Sequence, residues 1–250
     1  MKVLDVANPI VITVFPESSL KEAIDILSNN PTGRIVVLKE EKPIGMVSTR
    51  DVVASFSEYG TNIYDLKVKD IMSKDLITVW PNDDVNHVVR IMLMNNIGGI
   101  PVVDNNAIVG IFTEREVLKL IASSMFSGLV DSVMSSNVVS IGEESTILEA
   151  AKLMAMNNVR RLPVFSKNNK LIGIITAADI VKYLAKNKNI GKVLDAGTKN
   201  PITISRYYSI LNAAKLMIEK RIGTLPVMEN QKLVGIVTER DLMYAYINIV

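Results

Sequence analysis

The chain has 250 residues, 48% of them hydrophobic, with a net charge of +2 and no cysteine. That length suits one large domain or two ordinary ones with a sizeable core, and the missing thiols exclude a disulfide framework and thiolate chemistry. The small charge, with no long lysine or arginine run, argues against nucleic acid.

Read from the N-terminus, "MKVLDVANP" lacks the layout of a signal peptide. The apolar runs "PIVITVF" and "IGIIT" stop well short of the roughly 18–20 residues that span a bilayer. A soluble, cytoplasmic protein is expected. One set of elements then recurs four times. A β-branched run comes first ("IVITV", "LITV", "VVSI", "PITI") and reads as a strand. An amphipathic segment follows: "SSLKEAIDILSNN", "DDVNHVVRIMLMNN" and "YSILNAAKLMIEKR", with Ile147, Ala150, Ala151 and Met154 on one helix face in the third copy. A second strand ("RIVVL", "GIPVV", "RLPVF", "TLPVM") leads into polar turns such as "DNNA" and "SKNNK", which fit hairpin loops. A third strand enters a seven-residue motif, and a final helix closes the copy.

The motif reads "GMVSTRD" at 45–51, "GIFTERE" at 110–116, "GIITAAD" at 173–179 and "GIVTERD" at 235–241. Its glycines, Gly45, Gly110, Gly173 and Gly235, stand 65, 63 and 62 residues apart by subtraction, and such a fixed period fixes the architecture before anything else does. The predicted fold is mixed α+β: four β-α-β-β-α repeats at 1–65, 66–126, 127–188 and 189–250. A unit of about 60 residues is marginal alone, so pairing with pseudo-two-fold symmetry is expected. "SSMFSGL" interrupts the pattern and separates two modules, 1–126 and 127–250.

Each motif places a hydroxyl where a strand ends and a helix begins, where it caps backbone N–H groups at a point that attracts anions. A carboxylate three residues on can accept hydrogen bonds from the two hydroxyls of a ribose, as acidic residues do in dinucleotide folds. The same spacing is a capping box, whose usual partner is Glu or Gln. Asp51, Asp179 and Asp241 therefore favour ribose binding, and Glu116 favours a cap, leaving its position weak or empty.

This layout resembles the cystathionine-β-synthase (CBS) domain family over essentially the whole chain. The likeness rests on the "G-h-h-S/T-x-x-D" ending, the "LPV" or "IPV" second strand, and lead-ins such as "VKDIMSKDLITV". Two CBS domains in tandem form a Bateman module. Two modules in one chain are similar to the plan of the gamma subunits of AMP-activated protein kinase. The resemblance implies a non-catalytic, energy-sensing regulator with no prosthetic group, which binds AMP, ADP or ATP between paired repeats and acts on an unidentified protein partner as a monomer or homodimer.

The resemblance also implies residue roles. Thr238 and Asp241 would hold ribose and phosphate opposite Arg160 or Arg161, the arginine fork suiting phosphate. Thr176 and Asp179 would face Gly223 and Thr224. Ser48 and Asp51 would face Gly98 and Gly99, and Arg34 would face Glu116. Val159 and Ile222 take the adenine-lining position. The alternatives are an interaction scaffold with degenerate sites, or a binder of S-adenosylmethionine or single-stranded RNA.

Other features read as structure. The one histidine, His87, cannot make a zinc site or a catalytic pair without cysteine or further histidines. "IGGIP" lacks the length and the Lys-Ser/Thr of a phosphate loop. Trp80 could stack on a ring but reads first as packing, and the twelve methionines read as adaptable core.

Overall fold

The structure is a computed structural model and describes residues 1–249. Repeat 1 comprises β1 (Thr13–Val14), α1 (Leu20–Asn29), β2 (Arg34–Lys39), β3 (Lys42–Ser48) and α2 (Thr49–Tyr59), followed by a short α3 (Val68–Ile71). Repeat 2 comprises α4 (Val85–Met94), β4 (Gly99–Asp104), β5 (Ala107–Thr113) and α5 (Glu114–Ala122). Repeat 3 comprises β6 (Ile141–Gly142), α6 (Ile147–Asn157), β7 (Arg161–Phe165), β8 (Leu171–Thr176) and α7 (Ala177–Lys186). After α8 (Val193–Ala196) and β9 (Thr198–Lys199), repeat 4 comprises β10 (Ile204–Ser205), α9 (Ile210–Lys220), β11 (Thr224–Glu229), β12 (Lys232–Thr238) and α10 (Glu239–Ile249). The fold is mixed α+β; repeats 1, 3 and 4 follow the expected order, and repeat 2 follows it without a full first strand.

The first strand is shorter than its β-branched run suggests. β1, β6 and β10 have two residues each and pair in parallel with β2, β7 and β11. In repeat 2 the run is reduced to a bridge between Val79 and Val102. Only the end of each run reaches the neighbouring strand. The hairpins form as the turn residues dictate: Asn105–Asn106 and Asn230–Gln231 adopt positive φ, which matches strand twist in two-residue turns.

The helix faces are those of the sequence pattern. Leu20, Ala23, Ile24 and Leu27 of α1 are buried, as are Val85, Val88, Val89 and Met92 of α4. Ile147, Ala150, Ala151 and Met154 of α6 are buried too, as expected. Ser19 caps α1 by accepting from Glu22 N at 3.2 Å, and Thr146 caps α6 in a capping box with Glu149.

The chain forms two compact units, each with its own core. Unit 1 is Met1–Val11, Ile77–Val138 and Ile202–Val250, and unit 2 is Ile12–Leu76 and Val139–Pro201. Repeats 2 and 4 thus share unit 1, and repeats 1 and 3 share unit 2. In unit 2, α1 packs on α7 and α2 packs on α6; in unit 1, α4 packs on α10 and α5 packs on α9. Each unit is two repeats joined helix to helix about a local pseudo-two-fold axis. The helices carry most of each core, where burial contributes roughly 25 cal/mol per Å² of apolar surface.

The unit boundaries fall inside the lead-ins, and each lead-in edges the sheet of a neighbouring repeat. Asn8 exchanges two 2.9 Å hydrogen bonds with Ile111 of β5, and Ser73 exchanges bonds of 2.9 and 3.1 Å with Met46 of β3. Ser135 does the same with Ile236 of β12 at 2.9 Å, and β9 pairs antiparallel with β8. Repeats 1 and 2 therefore exchange lead-ins, and so do repeats 3 and 4. This explains the glycine that opens every motif. A Cβ at Gly45 would lie 2.5 Å from the Ser73 carbonyl oxygen, and one at Gly235 would lie 3.1 Å from that of Ser135 and 2.6 Å from Met134 Sδ. At Gly110 and Gly173 the lead-in oxygens of Asn8 and Thr198 would each lie at 3.2 Å.

Candidate functional site at the strand-to-helix junctions

Each motif residue sits where the third strand turns into the second helix. Ser48, Thr113 and Thr176 are the N-caps of α2, α5 and α7. Asp51 Oδ2 accepts from Ser48 N and Oγ, both at 2.7 Å. Asp179 Oδ2 accepts from Thr176 N at 2.9 Å and Oγ1 at 2.7 Å. Asp241 Oδ2 accepts from Thr238 N at 2.8 Å, and Asp241 N donates to Thr238 Oγ1 at 3.3 Å. Glu116 closes the same box on Thr113 and is 3% exposed. All four motifs are therefore caps, and the choice of Asp or Glu does not separate cap from ligand position. In Asp51 and Asp179 the box uses Oδ2. Burial pushes both carboxyls above the ordinary carboxylate range, against the hydrogen bonds from Ser48 and Thr176 that favour the ionised form.

The second strand starts directly opposite the motif hydroxyl. Arg34 is in register with Ser48, and Arg161 with Thr176, both in unit 2. In unit 1 the same places hold Gly99 opposite Thr113 and Thr224 opposite Thr238. Unit 2 thus sets an arginine across from the motif hydroxyl at two junctions, with the Arg34 guanidinium donating to Thr32 O at 2.7 Å, and unit 1 has no cation at that strand position. Arg160–Arg161 and Thr238–Asp241 fall in different units.

The remaining expected residues flank these junctions. Val159 is partly buried against the unit 2 core and donates to Met154 O at 3.0 Å. Ile222 is partly buried against the unit 1 core and donates to Met217 O at 3.0 Å. Arg160 O accepts from Ala177 N at 2.8 Å, and Gly98 O accepts from Glu114 N at 3.1 Å. Gly223 O accepts from Glu239 N at 3.2 Å, and a Cβ at Gly223 would lie 3.0 Å from Glu239 Cδ. Thr224 is buried. Trp80 is 62% exposed, so it is not the packing residue its sequence context suggests. His87 is exposed on α4.

The middle letters of the motif carry interactions that sequence reasoning treated as spacers. In unit 1, Arg240 Nε donates to Glu114 Oε1 at 2.8 Å, and Arg240 also donates to Asn96 Oδ1. Reciprocally, Arg115 donates to Glu239 Oε1 at 3.0 Å and to the carbonyl oxygens of Ile222 and Ile218 at 3.1 and 3.2 Å. The Glu114 side chain is 2% exposed and that of Arg240 is 19% exposed. The shared letters "TER" in repeats 2 and 4 were the available signal. Unit 2 has "STR" and "TAA" instead. There Arg50 donates to Asn158 Oδ1, as Arg240 does to Asn96, but Ala177 stands where Glu114 stands. Asn96 and Asn158 share a positive φ, which asparagine tolerates well.

The CBS domain model matches residues 3–58, 68–123, 130–186 and 193–248. The chain belongs to the CBS domain family. CBS-domain proteins are regulatory ligand-binding proteins. Protein MJ1225 of Methanocaldococcus jannaschii is 27% identical, with 97% of this chain and 98% of that protein aligned. Its crystal structure, described as that of a candidate archaeal homologue of g-AMPK, superposes with a TM-score of 0.89 at 24% identity, covering 98% of this chain and all of that one. An uncharacterized conserved protein of Pyrococcus horikoshii shares the fold at a TM-score of 0.67 and 21% identity, over 98% of this chain and 99% of its own. The inosine-5'-monophosphate dehydrogenase of M. jannaschii is 36% identical over 64% of this chain but only 32% of the enzyme, the part that holds its CBS region. Among the described residues no helix is long and apolar enough to cross a membrane, and no group of three or more His, Cys, Asp or Glu could hold a metal ion.

Proposed function

We propose that the chain is a non-catalytic, energy-sensing regulator that binds AMP, ADP or ATP at its strand-to-helix junctions and passes the binding state to a protein partner. The observation that carries this reading is the strand register that sets Arg34 across from Ser48 and Arg161 across from Thr176, each hydroxyl bonded to its motif aspartate. The cap engages Oδ2 of each aspartate, so Oδ1 is the oxygen assigned to a ribose hydroxyl. The guanidinium matches phosphate geometry. Thr238 with Asp241 supplies a third ribose position, with Ile222, Gly223 and Thr224 beside it, and Val159 and Arg160 flank the junction of repeat 3. The exchange of lead-ins supports treating 1–126 and 127–250 as the two Bateman modules. The protein acts in the cytoplasm, as a monomer or a homodimer.

A second reading, an interaction scaffold whose motifs only cap helices, is favoured by the closed box at all four junctions. Calorimetric titration of nucleotide-stripped protein with AMP, ADP, ATP and S-adenosylmethionine separates the two. Saturable adenine-nucleotide binding, weakened about tenfold by Asp179→Asn, supports the regulator, since a hydrogen bond to a charged group contributes roughly 1.5–3 kcal/mol. No heat from any ligand in folded protein leaves the scaffold. A regulator must also bind its ligand unequally in two states, so partner affinity should change when nucleotide is added.

A further inference from the structure

Unit 2 has a cavity of about 160 Å³ where the start of α2 faces the end of α6, lined by Arg50, Ala155, Asn158, Val159, Arg160 and Ala177. The shared motif and strand register give these residues counterparts in unit 1: Arg115, Ile218, Arg221, Ile222, Gly223 and Glu239. There the same ground is filled by the chain's own side chains. Arg115 of repeat 2 reaches across to repeat 4 and donates to Glu239 Oε1 at 3.0 Å, to Ile222 O at 3.1 Å and to Ile218 O at 3.2 Å. Each of these partners is the counterpart of a residue that lines the cavity. The Glu239 carboxyl lies against Gly223, where an added Cβ would stand 3.0 Å from Glu239 Cδ. Two sequence differences account for the contrast. Ala177 offers no carboxylate where Glu239 meets Arg115. Asn158 and Arg221 hold the same left-handed cap on α6 and α9, but only the asparagine side chain can accept a hydrogen bond from an arginine. Arg50 therefore bonds Asn158 Oδ1. Arg115 turns instead to the carboxylate and to the carbonyl oxygens at the end of α9, where a cation is favoured.

We infer that Arg115 and Glu239 form a built-in plug, which closes the repeat 4 cleft of unit 1 and keeps its ribose position empty while the pair is intact. The identity of the excluded ligand rests on the adenine-nucleotide reading above; the closure itself does not. The plug stands on Ile222 and Gly223, next to the Thr238–Asp241 cap. A ligand must break a charge-assisted ion pair and two hydrogen bonds to the helix end before it can enter. The side chains of Arg115 and Glu239 are 27% and 17% exposed. Salt screens such a partly exposed pair, so the plug loosens as ionic strength rises. Arg115 and Glu239 thus decide whether this cleft accepts a ligand, without being contacts of that ligand.

The chain has no cysteine, so Ile222→Cys and Val159→Cys each place a single thiol at equivalent points of the closed and the open cleft. Alkylation by iodoacetamide is timed above the thiol pKa, where neighbouring arginines no longer change the thiolate fraction. Ile222→Cys should react slowly, and about tenfold faster once Arg115→Ala and Glu239→Ala are added. Its rate then approaches that of Val159→Cys, which the same changes leave alone. Glu239→Ala by itself gives repeat 4 the residue that repeat 3 carries at 177, and it serves if the fuller variant loses cooperative thermal unfolding. Calorimetric titration with AMP, ADP and ATP, in chains without the added thiols, then counts sites. Opening the plug should add one site, which Asp241→Asn weakens about tenfold. A thiol that reacts equally with and without the pair overturns the plug. So does a native chain whose nucleotide binding already depends on Asp241, or an opened chain that binds nucleotide in unit 2 with no added site. If opening speeds the thiol but no nucleotide binds either chain, the closure stands and the adenine-nucleotide reading falls.

Discussion

The two units are built alike and finished differently. Each joins two repeats through four helices, and each sheet is edged by the lead-in of a neighbouring repeat. Unit 1 closes its pseudo-two-fold interface with two reciprocal ion pairs, Glu114–Arg240 and Arg115–Glu239. Unit 2 has alanines at 177 and 178 in the equivalent places, arginines at 34, 50, 160 and 161, and a cavity. The difference teaches that one scaffold can separate two tasks. Unit 1 is locked by its own reciprocal charges, and unit 2 joins its repeats without that pair of carboxylates at the helix starts.

The largest effect is expected from breaking the lock. Glu114→Ala removes a carboxylate that is 2% exposed and leaves the mostly buried Arg240 without it. Breaking a buried pair from one side costs about 3 kcal/mol or more. Chemical denaturation should show this loss, and the double variant Glu114→Ala/Arg240→Ala should lose less than the sum of the single changes. Additive losses would mean that the pair contributes nothing as a pair.

Next in size is the glycine series. Gly45→Ala puts a Cβ 2.5 Å from the Ser73 carbonyl oxygen, against 3.2 Å from that of Asn8 for Gly110→Ala. Backbone cannot yield as a side-chain tip does, so the first should cost about 2 kcal/mol, within the range for overpacking. The second should cost clearly less. Equal losses would show that the lead-in of repeat 2 is no more tightly held than that of repeat 1.

Much of this was legible in the sequence. The spacing of Ile147, Ala150, Ala151 and Met154 marks a buried face because helical period and burial are the same physics. Asn105–Asn106 marks a turn because asparagine tolerates positive φ. Which repeats pack helix to helix was not legible, since α1, α4, α6 and α9 carry nearly the same apolar stripe and none specifies its partner. The reason for Gly45 was not legible either, because Ser73 lies 28 residues away by subtraction and no periodicity links them. The aspartates were read by residue type, and the structure closes the same cap with Glu116 as with Asp179. The letters between hydroxyl and carboxylate held the difference between the units, yet they become informative only when repeat 2 is set beside repeat 4.

The smallest expected effect concerns the two motif aspartates of unit 2. Burial raises the Asp51 and Asp179 carboxyls above their ordinary values. Between the ordinary value of about 4 and the raised one, the folded state binds more protons than the unfolded chain. Stability therefore falls as pH rises through that window and recovers as pH falls. Glu17 works in the opposite direction. Its hydrogen bonds to Lys67 and Lys69 hold it down at about 2, so its contribution is present above the ordinary value and is lost as pH falls toward 2. That group is fully exposed, and water screens its effect. Asparagine at 51 and 179 still accepts the Ser48 and Thr176 N–H bonds through its carbonyl oxygen. Asp51→Asn/Asp179→Asn should accordingly change stability at neutral pH by about 1 kcal/mol or less and flatten its pH dependence above pH 4. An unchanged slope would mean that both carboxylates titrate as if exposed, and would remove burial as the cause of their raised values.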